Sequence, residues 1–413
     1  MNDLMSIAEA RRRLFERFRP LPLEKVPIGE ADGRVLGEDV NAAIDLPPFA
    51  NSSVDGFAVR ASDVASASAS APVRLPVAGD IPAGAAHTTY LAEGQAARIM
   101  TGAPVPPGAD AIVPIEATTF KRTSMGAPLP AQVLVREATT PGANVRQAGL
   151  DVRAGSLVLA RGTSLRPQEV ALLAALGRSQ VLAFRRPRVA VLSTGDELVE
   201  PGSSLRHGQI YESNAIMLVA MVRRAGGVAV DLGIARDDLQ EIVTRLDWAL
   251  RDGADLIITS AGVSVGAFDL VRAAIEQNGA LEFWRVDLRP GKPLAFGRYR
   301  DVPILGLPGN PVSSFVTFEL FAHAAMRALE GRSPRELPRV SVTLEEAVTS
   351  DGRESYLRAQ VRREGREFQA RVLEKQASSV LSSLAAANGL VIIPSGVREV
   401  AAGAHLEAWL LEE

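Results

Sequence analysis

The stretch DLIITSAGVSVGAFD at residues 255–269 decides the fold. Leu256, Ile257 and Ile258 run without interruption into Thr259 and Ser260; small residues follow, and a helical pattern resumes near 270. A continuous apolar run is what a strand buried on both faces requires, and a helix directly after it is the connection that parallel strands need. The same unit recurs on either side. RVAVLS at 188–193, VAVDLGI at 228–234 and VPILGL at 302–307 read as strands, with helices near 212–225, 239–251, 270–277 and 313–329. The alternation predicts a doubly wound, mostly parallel α/β domain over 186–335.

The texture differs on both flanks. Residues 6–18 read as an amphipathic helix with Ser6 as N-cap and Glu9 three residues on, ended by Pro20 and Pro22. From 23 to 148 the chain is rich in Pro and Gly, with short runs at 57–59, 111–115 and 131–135 that predict small β structures. Residues 65–72 (ASASASAP) read as a loop, and 165–177 as a helix stopped by Gly177. In the tail, RVSVTL (339–344), SYLRAQVR (355–362), EFQARVLE (367–374) and the closing HLEAWLLEE (405–413) alternate between glycine turns, which predicts a small β-barrel or sandwich.

The bulk numbers exclude several classes. A chain of 413 residues exceeds what a single core usually supports. A net charge of −3 gives no basic field for nucleic acid, and Arg11 to Arg13 lie between Glu9 and Glu16 as a solvated helix face would. The absence of cysteine removes disulfides, thiolate metal sites and cysteine nucleophiles together. No secretory leader and no apolar run long enough to cross a membrane is visible, so a cytoplasmic protein without nucleic-acid or membrane partners is expected.

Ligands of open α/β sheets bind beyond the carboxyl ends of the strands. Five segments there carry candidates. After the strand at 188–193, Asp196 and Glu197 could bind a hard cation, although a turn leaving the sheet explains them as well. After Ser260, the small residues Gly262, Ser264 and Gly266 and the helix opening near Asp269 suit an anion; Asp269 as a simple cap and a tight structural turn are equally good readings. Arg285, Arg289 and Lys292 lie within eight residues and suit an oxyanion or pyrophosphate, or an ordinary charged surface strand. Pro308, Gly309 and Pro311 form a rigid turn, or merely start a helix. Asp238 with Glu241 reads as a capping box, which leaves Asp237 freer to face a ligand. Together the loops place an anion cradle, basic groups and carboxylates around one crevice, the needs of an enzyme handling a phosphorylated ligand with a divalent metal.

In order and spacing, STGDEL (193–198), GQIYESN (208–214), GVSVGAFD (262–269), RPGKPLAFG (289–297) and GLPGNPVSS (306–314) resemble the molybdopterin molybdenumtransferases of the MoeA type, the family that includes the gephyrin E domain. NSSVDGFAV (51–59), RIMTGA (98–103) and GANVRQAGLD (142–151) resemble its N-terminal signatures, so the likeness covers essentially the whole chain.

The resemblance implies the final step of molybdenum cofactor biosynthesis: molybdate enters adenylylated molybdopterin with release of AMP, with Mg²⁺ as cofactor. Asp55, Thr101, Asp151, Glu197, Asp237 and Asp269 fall on the family's functional polar positions, Arg285 and Arg289 where many relatives carry Lys, and Arg358 and Ser378 on positions tied to molybdate. Ser260, Gly262, Ser264, Gly266, Arg285, Arg289, Lys292, Pro308, Gly309 and Pro311 are then expected to bind the substrate, and Glu197 and Asp269 the cation. The implied architecture is four-part: a discontinuous elongated helical domain (3–22, 40–49 and 149–185), a β-rich domain (23–39 and 50–148), the α/β molybdopterin-binding domain (186–335) and a C-terminal β-barrel (336–413). A homodimer and a transient contact with molybdopterin adenylyltransferase are also implied. Ala261, Leu150 and the Ala-Phe-Asp run at 267–269 depart from the family's usual residues without removing a proposed ligand. The rival readings are a molybdopterin-binding scaffold or carrier without turnover, a tungstate-preferring insertase, and an adenylyltransferase, which would lack the N-terminal signatures and the β tail.

Overall fold

The computed structural model describes residues 4–84, 90–121, 128–260, 267–332 and 338–411, without the side chains at 267–269 and 283–284. The chain forms two compact units: Met1–Val26 with Gly33–Gly37 and Leu182–Glu413, and Pro27–Asp32 with Glu38–Val181.

The first unit opens with helix α1 (Ile7–Glu16), capped by Ser6 Oγ, which accepts from Glu9 N–H at 3.2 Å. Ile7, Ala10 and Leu14 repeat at helical spacing and are buried, while Arg12 bridges Glu9 and Glu16 on the wet face. Strands β1 (Arg188–Thr194), β2 (Val228–Ala235), β3 (Leu256–Ser260), β4 (Gly279–Arg285), β6 (Pro293–Tyr299) and β7 (Val302–Leu307) form one sheet in the order β2-β1-β3-β7-β6-β4. The first four are parallel, and β6 runs antiparallel to both its neighbours.

Alternation along β1 shows why its sequence reads as continuously apolar. Val189 and Val191 pack with α2 (Asn214–Arg224), α5 (Pro311–Thr317), α6 (His323–Leu329) and α1. Ala190 and Leu192 face the other way, against α3 (Leu239–Arg251) and α4 (Ala267–Asn278). Both faces are therefore covered, as a doubly wound sheet demands.

Three details differ from the sequence reading. Strands β4 and β6 were not expected; Glu282 and the exposed Arg285 break the apolar run at this edge of the sheet, where charge guards an unpaired strand. The helix expected at 313–329 is α5 and α6 joined by a π-helical turn, Phe318–Ala322. The helix expected from 212 starts at Asn214, because Ile210 and Tyr211 pair with Leu198 and Val199 instead.

The tail closes into a barrel rather than a sandwich. Strands β8 (Arg339–Leu344), β9 (Glu354–Glu364), β10 (Glu367–Val372), β11 (Gly389–Ile393) and β12 (His405–Leu410) run in the order β9-β10-β8-β12-β11, and β11 pairs back onto β9. The two-residue strand β5 (Leu288–Arg289) leaves the α/β region to pair with β9, Arg289 opposite Ser355. Barrel residues Tyr356, Leu390 and Trp409 belong to the same buried cluster as Val191, Leu305 and Leu14, so α/β sheet, α1 and barrel share one core.

The second unit holds a five-stranded sheet in the order Ala111–Pro114, Gly56–Val59, Ala96–Ile99, Val73–Ile81 and Gln132–Val135. Its helix Pro167–Ala175 begins with proline at N1, and Glu169 turns back to accept from Arg166 N–H at 2.9 Å.

Leu305 lies on β7, fully buried between β3 and β6. Leu305→Ala is expected to lower the unfolding free energy by about 2–5 kcal/mol, through lost transfer energy and the cavity left behind. Denaturant unfolding followed by circular dichroism checks this as a lower midpoint at unchanged slope.

Candidate functional site

The carboxyl ends of β1, β3 and β7 point the same way, as their parallel pairing requires, and a cavity of about 900 Å³ opens beyond them. Thr194 and Ser260, the last residues of β1 and β3, line its floor and are 3% and 4% exposed. Among the described residues, neither hydroxyl has a hydrogen-bond partner. A buried hydroxyl left unpaired costs free energy, so these two mark a polar floor kept in reserve for something else.

The turn after β7 brings Pro308, Gly309 and Pro311 to the cavity wall. Asn214 Nδ2 donates to Gly309 O at 2.6 Å, tying that turn to the start of α2. Glu212, buried in the same wall, accepts from Ser193 Oγ at 3.0 Å and from Ala215 N–H at 2.8 Å. Sequence reasoning assigned no role to Glu212 or Asn214. The available signal was a carboxylate and an amide beside a helix start within a motif already singled out.

The opposite wall is cationic. Arg289, Lys292, Arg353 and Arg358 all line it. Arg353 is tethered, donating to Leu288 O at 3.0 Å and pairing with Asp351. Arg358 is 1% exposed and is the largest fully buried side chain among the described residues. Its Nε donates to Ser383 Oγ at 3.0 Å, and Nη2 to the carbonyls of Lys375 and Ala377 at 2.9 and 3.1 Å. All three acceptors are neutral. Burial, with Arg289 nearby, brings the Arg358 pKa down to about 10, still charged at neutral pH. Gly291 lies between Arg289 and Lys292 at φ 118°, and a Cβ there would come within 2.7 Å of Thr317 Cγ2. Only glycine lets the backbone carrying Lys292 approach α5 so closely. Ser378 reaches the same cavity, and its carbonyl accepts from Val312 N–H at 3.1 Å.

Carboxylates gather at the end of β1. Glu197 lines the cavity, and Asp237, following β2, accepts no hydrogen bond at its buried Oδ1 from the described residues. Burial, then repulsion from Asp196 and Glu197, pushes the Asp237 carboxyl above its usual range. Gly195 sits at φ 151°, where a Cβ would strike the Glu197 carboxylate at 2.5 Å. Asp238 caps α3 by accepting from Glu241 N–H at 2.8 Å, the capping role read from the sequence.

The remaining candidates lie elsewhere. Arg285 ends β4 and does not line this cavity. Gly262, Ser264, Gly266 and the side chain of Asp269 lie outside the described residues. In the second unit, Asp55 Oδ1 accepts from both N–H and Oγ1 of Thr101 at 2.8 Å, while Asp151 stands on an exposed loop anchored through its N–H to Leu46 O. Among the described residues, no three acidic or histidine side chains are arranged as a metal-binding group.

Three family models match the chain in sequence: the MoeA N-terminal region (domain I and II) over 5–177, a probable molybdopterin binding domain over 190–328, and the MoeA C-terminal region (domain IV) over 341–411. Molybdopterin molybdenumtransferase 2 of Mycobacterium tuberculosis is 43% identical over 98% of this chain and 99% of its own. The chain belongs to the molybdopterin molybdenumtransferase family. A Bacillus subtilis molybdopterin molybdenumtransferase is 34% identical over 98% of this chain and 94% of its own. The crystal structure of the molybdopterin biosynthesis MoeA protein from Pyrococcus horikoshii OT3 superposes with a TM-score of 0.80 at 32% identity, covering 99% and 100% of the two chains.

Within this family fold, the cavity has acidic and cationic sides. The acidic side gives a measurable signature. Because the Asp237 pKa is raised in the folded state, its ionisation opposes folding: stability is greatest below the unfolded carboxylate range and falls as pH rises through the folded value. Asp237→Asn is therefore expected to melt above the wild type at pH 7 in metal-free buffer. The difference should shrink as pH falls below the carboxylate range, which thermal melts at several pH values will show.

Proposed function

We propose that the chain inserts molybdenum into molybdopterin in the final step of molybdenum cofactor biosynthesis, taking adenylylated molybdopterin and molybdate and releasing AMP. The observation that carries this reading is Arg358. A guanidinium 1% exposed, held by neutral acceptors only and placed in a cavity with Arg289 and Lys292, suits a small dianion that accepts hydrogen bonds and donates none. Molybdate has that chemistry. Ser378 at the same wall adds a hydroxyl.

Arg289 and Lys292 would meet the pyrophosphate oxygens, where charge grows as the bond to the departing phosphate breaks. Thr194 and Ser260 supply hydroxyls without a hydrogen-bond partner among the described residues. The Pro308–Pro311 turn, fixed through Asn214, would keep the substrate's position constant while that bond breaks.

The acidic side fits a hard divalent cation such as Mg²⁺. Asp237 keeps a buried oxygen without a donor, and its neighbours Asp196 and Glu197 raise its pKa, so positive charge there would relieve repulsion. Glu197 and Asp269 would hold it, with Asp237 beside them. When bound, the cation supplies electrostatic stabilisation of phosphate oxygens.

Asp55, Thr101 and Asp151 complete the reading in a homodimer, one subunit adding them to the other's cavity. The exposed Phe49 and Leu150, on loops joined by Gly149 N–H to Pro47 O at 3.0 Å, support a surface that a second copy covers. The four-part division at 3–22, 40–49 and 149–185; 23–39 and 50–148; 186–335; and 336–413 belongs to this proposal. So do a cytoplasmic setting and a passing contact with the adenylyltransferase that makes the substrate. No helix among the described residues is long and apolar enough to cross a membrane.

The test is AMP release from adenylylated molybdopterin with Mg²⁺, with and without molybdate, coupled to reconstitution of an apo-molybdoenzyme. Molybdate-dependent release with active cofactor is expected. Asp269→Asn should lower the cation-dependent rate by about 10²–10³-fold, the scale of a lost electrostatic contact in a transition state, at an unchanged circular dichroism spectrum. Binding without turnover would leave a carrier or scaffold, and faster turnover with tungstate would reassign the oxyanion.

A further inference from the structure

We infer that Ser383 is a positioning residue that orients the Arg358 guanidinium without cancelling its charge, and thereby sets the affinity of the cavity for a tetrahedral dianion. The inference rests on the reading of the cationic wall given above.

Ser383 lies on the short helix α7 (Leu381–Ala386) and is 6% exposed. It does not line the cavity, so any effect on a ligand passes through another residue. Its Oγ donates to Val380 O at 2.8 Å, which uses the only hydrogen the hydroxyl has. Its lone pairs are left to accept from Arg358 Nε at 3.0 Å, so the direction of that bond is fixed. The backbone of Arg358 is pinned as well. Gln376 accepts from Arg358 N–H at 3.1 Å and donates to Arg358 O at 2.9 Å, and Gln376 stands between the two residues whose carbonyls hold Nη2.

A buried arginine is ordinarily paired with a carboxylate, and position 383 is where one would serve. An aspartate there could accept from Nε and would neutralise the guanidinium, at the loss of the bond to Val380 O, because a carboxylate has no hydrogen to donate. A hydroxyl holds the same geometry and leaves the full positive charge for the cavity. The choice of serine therefore keeps the charge available for binding, and aspartate at 383 separates the two roles, since it can still accept from Nε while cancelling the charge.

The experiment uses the full chain with molybdate alone as the probe, comparing Ser383→Ala, Ser383→Thr, Ser383→Asp and Arg358→Ala by calorimetric titration and thermal melts. Ser383→Thr keeps the hydroxyl and should bind within about twofold of wild type, whereas Ser383→Ala should bind about tenfold more weakly, since a charged donor loses its partner. Ser383→Asp should show no detectable molybdate binding, with a cooperative thermal melt verifying that it folds. In turnover assays, Ser383→Ala should raise the KM for molybdate and leave that for adenylylated molybdopterin unchanged. Wild-type molybdate affinity in folded Ser383→Asp, with binding lost in Arg358→Ala, would overturn the role of Ser383 alone. Wild-type affinity in Arg358→Ala would overturn the oxyanion site itself. Should Ser383→Ala fail to fold, Ser383→Thr and Ser383→Asp still decide, because a purely structural role predicts that the ion-paired aspartate binds no worse.

Discussion

A charged guanidinium buried without a counter-ion is costly, and the architecture around Arg358 is organised to tolerate it. Three neutral oxygens, from Ser383, Lys375 and Ala377, satisfy three of its five N–H donors. Hydrogen bonds to peptide carbonyls recover part of the lost hydration and fix the plane of the group, yet leave the net charge intact. Nearby Arg289 makes the position more unfavourable still, and its contribution runs the same way as burial. Keeping these two cations in one wall calls for a rigid surround. That rigidity comes from the closed barrel, whose strand β9 carries Arg358 and is paired on both sides.

The strand exchange at β5 is what connects this charge to the rest of the cavity. Leu288 and Arg289 leave the α/β sheet and join β9, so Arg289 has a fixed register against the strand that bears Arg358. Arg353, on the loop leading into β9, reinforces the joint by donating to Leu288 O. Tyr356 and Trp409 pack with ring centroids 4.5 Å apart and planes tilted by 42°, within the core that also holds β1 and β7. Sheet and barrel are thus one packed body. A shift of the barrel would displace Arg358 relative to Thr194 and Ser260 and would also open buried apolar contacts.

How far the sequence discloses this depends on the range of the interaction. The α/β strands were legible because burial on both faces writes an unbroken apolar run, as in Leu256 to Ile258. The caps at Ser6, Asp238 and Glu169 are local, decided within three or four residues. Strands β4 and β6 were missed because they form the antiparallel edge of the sheet, where Glu282 and Arg285 interrupt the apolar pattern. The choice between barrel and sandwich rested on the pairing of β9 with β11, a contact between segments about thirty residues apart that leaves no periodic trace. For the site, the basic cluster was visible as spacing, but Arg285 and Arg289 part company where the chain changes sheets. Asn214 and Ser383 act on Gly309 and Arg358 from distant segments, and Glu212 joins distant Ser193 to its local partner Ala215, so composition and spacing give at most a hint of these contacts.

The polarity of the cavity carries a further physical consequence. Carboxylates collect where β1 and β2 end, and guanidinium and ammonium groups collect on the side built from β5 and the barrel. Were these groups interspersed, they would pair with one another and give a quieter, more stable surface. Kept apart, each side holds like charges close, which adds to burial in raising the Asp237 pKa and lowering that of Arg358. A ligand with a cation for one side and oxyanions for the other would offset that electrostatic stress on both. That stress comes from separation of charge rather than from any single residue, so the fold that keeps the two sides apart is itself part of the chemistry.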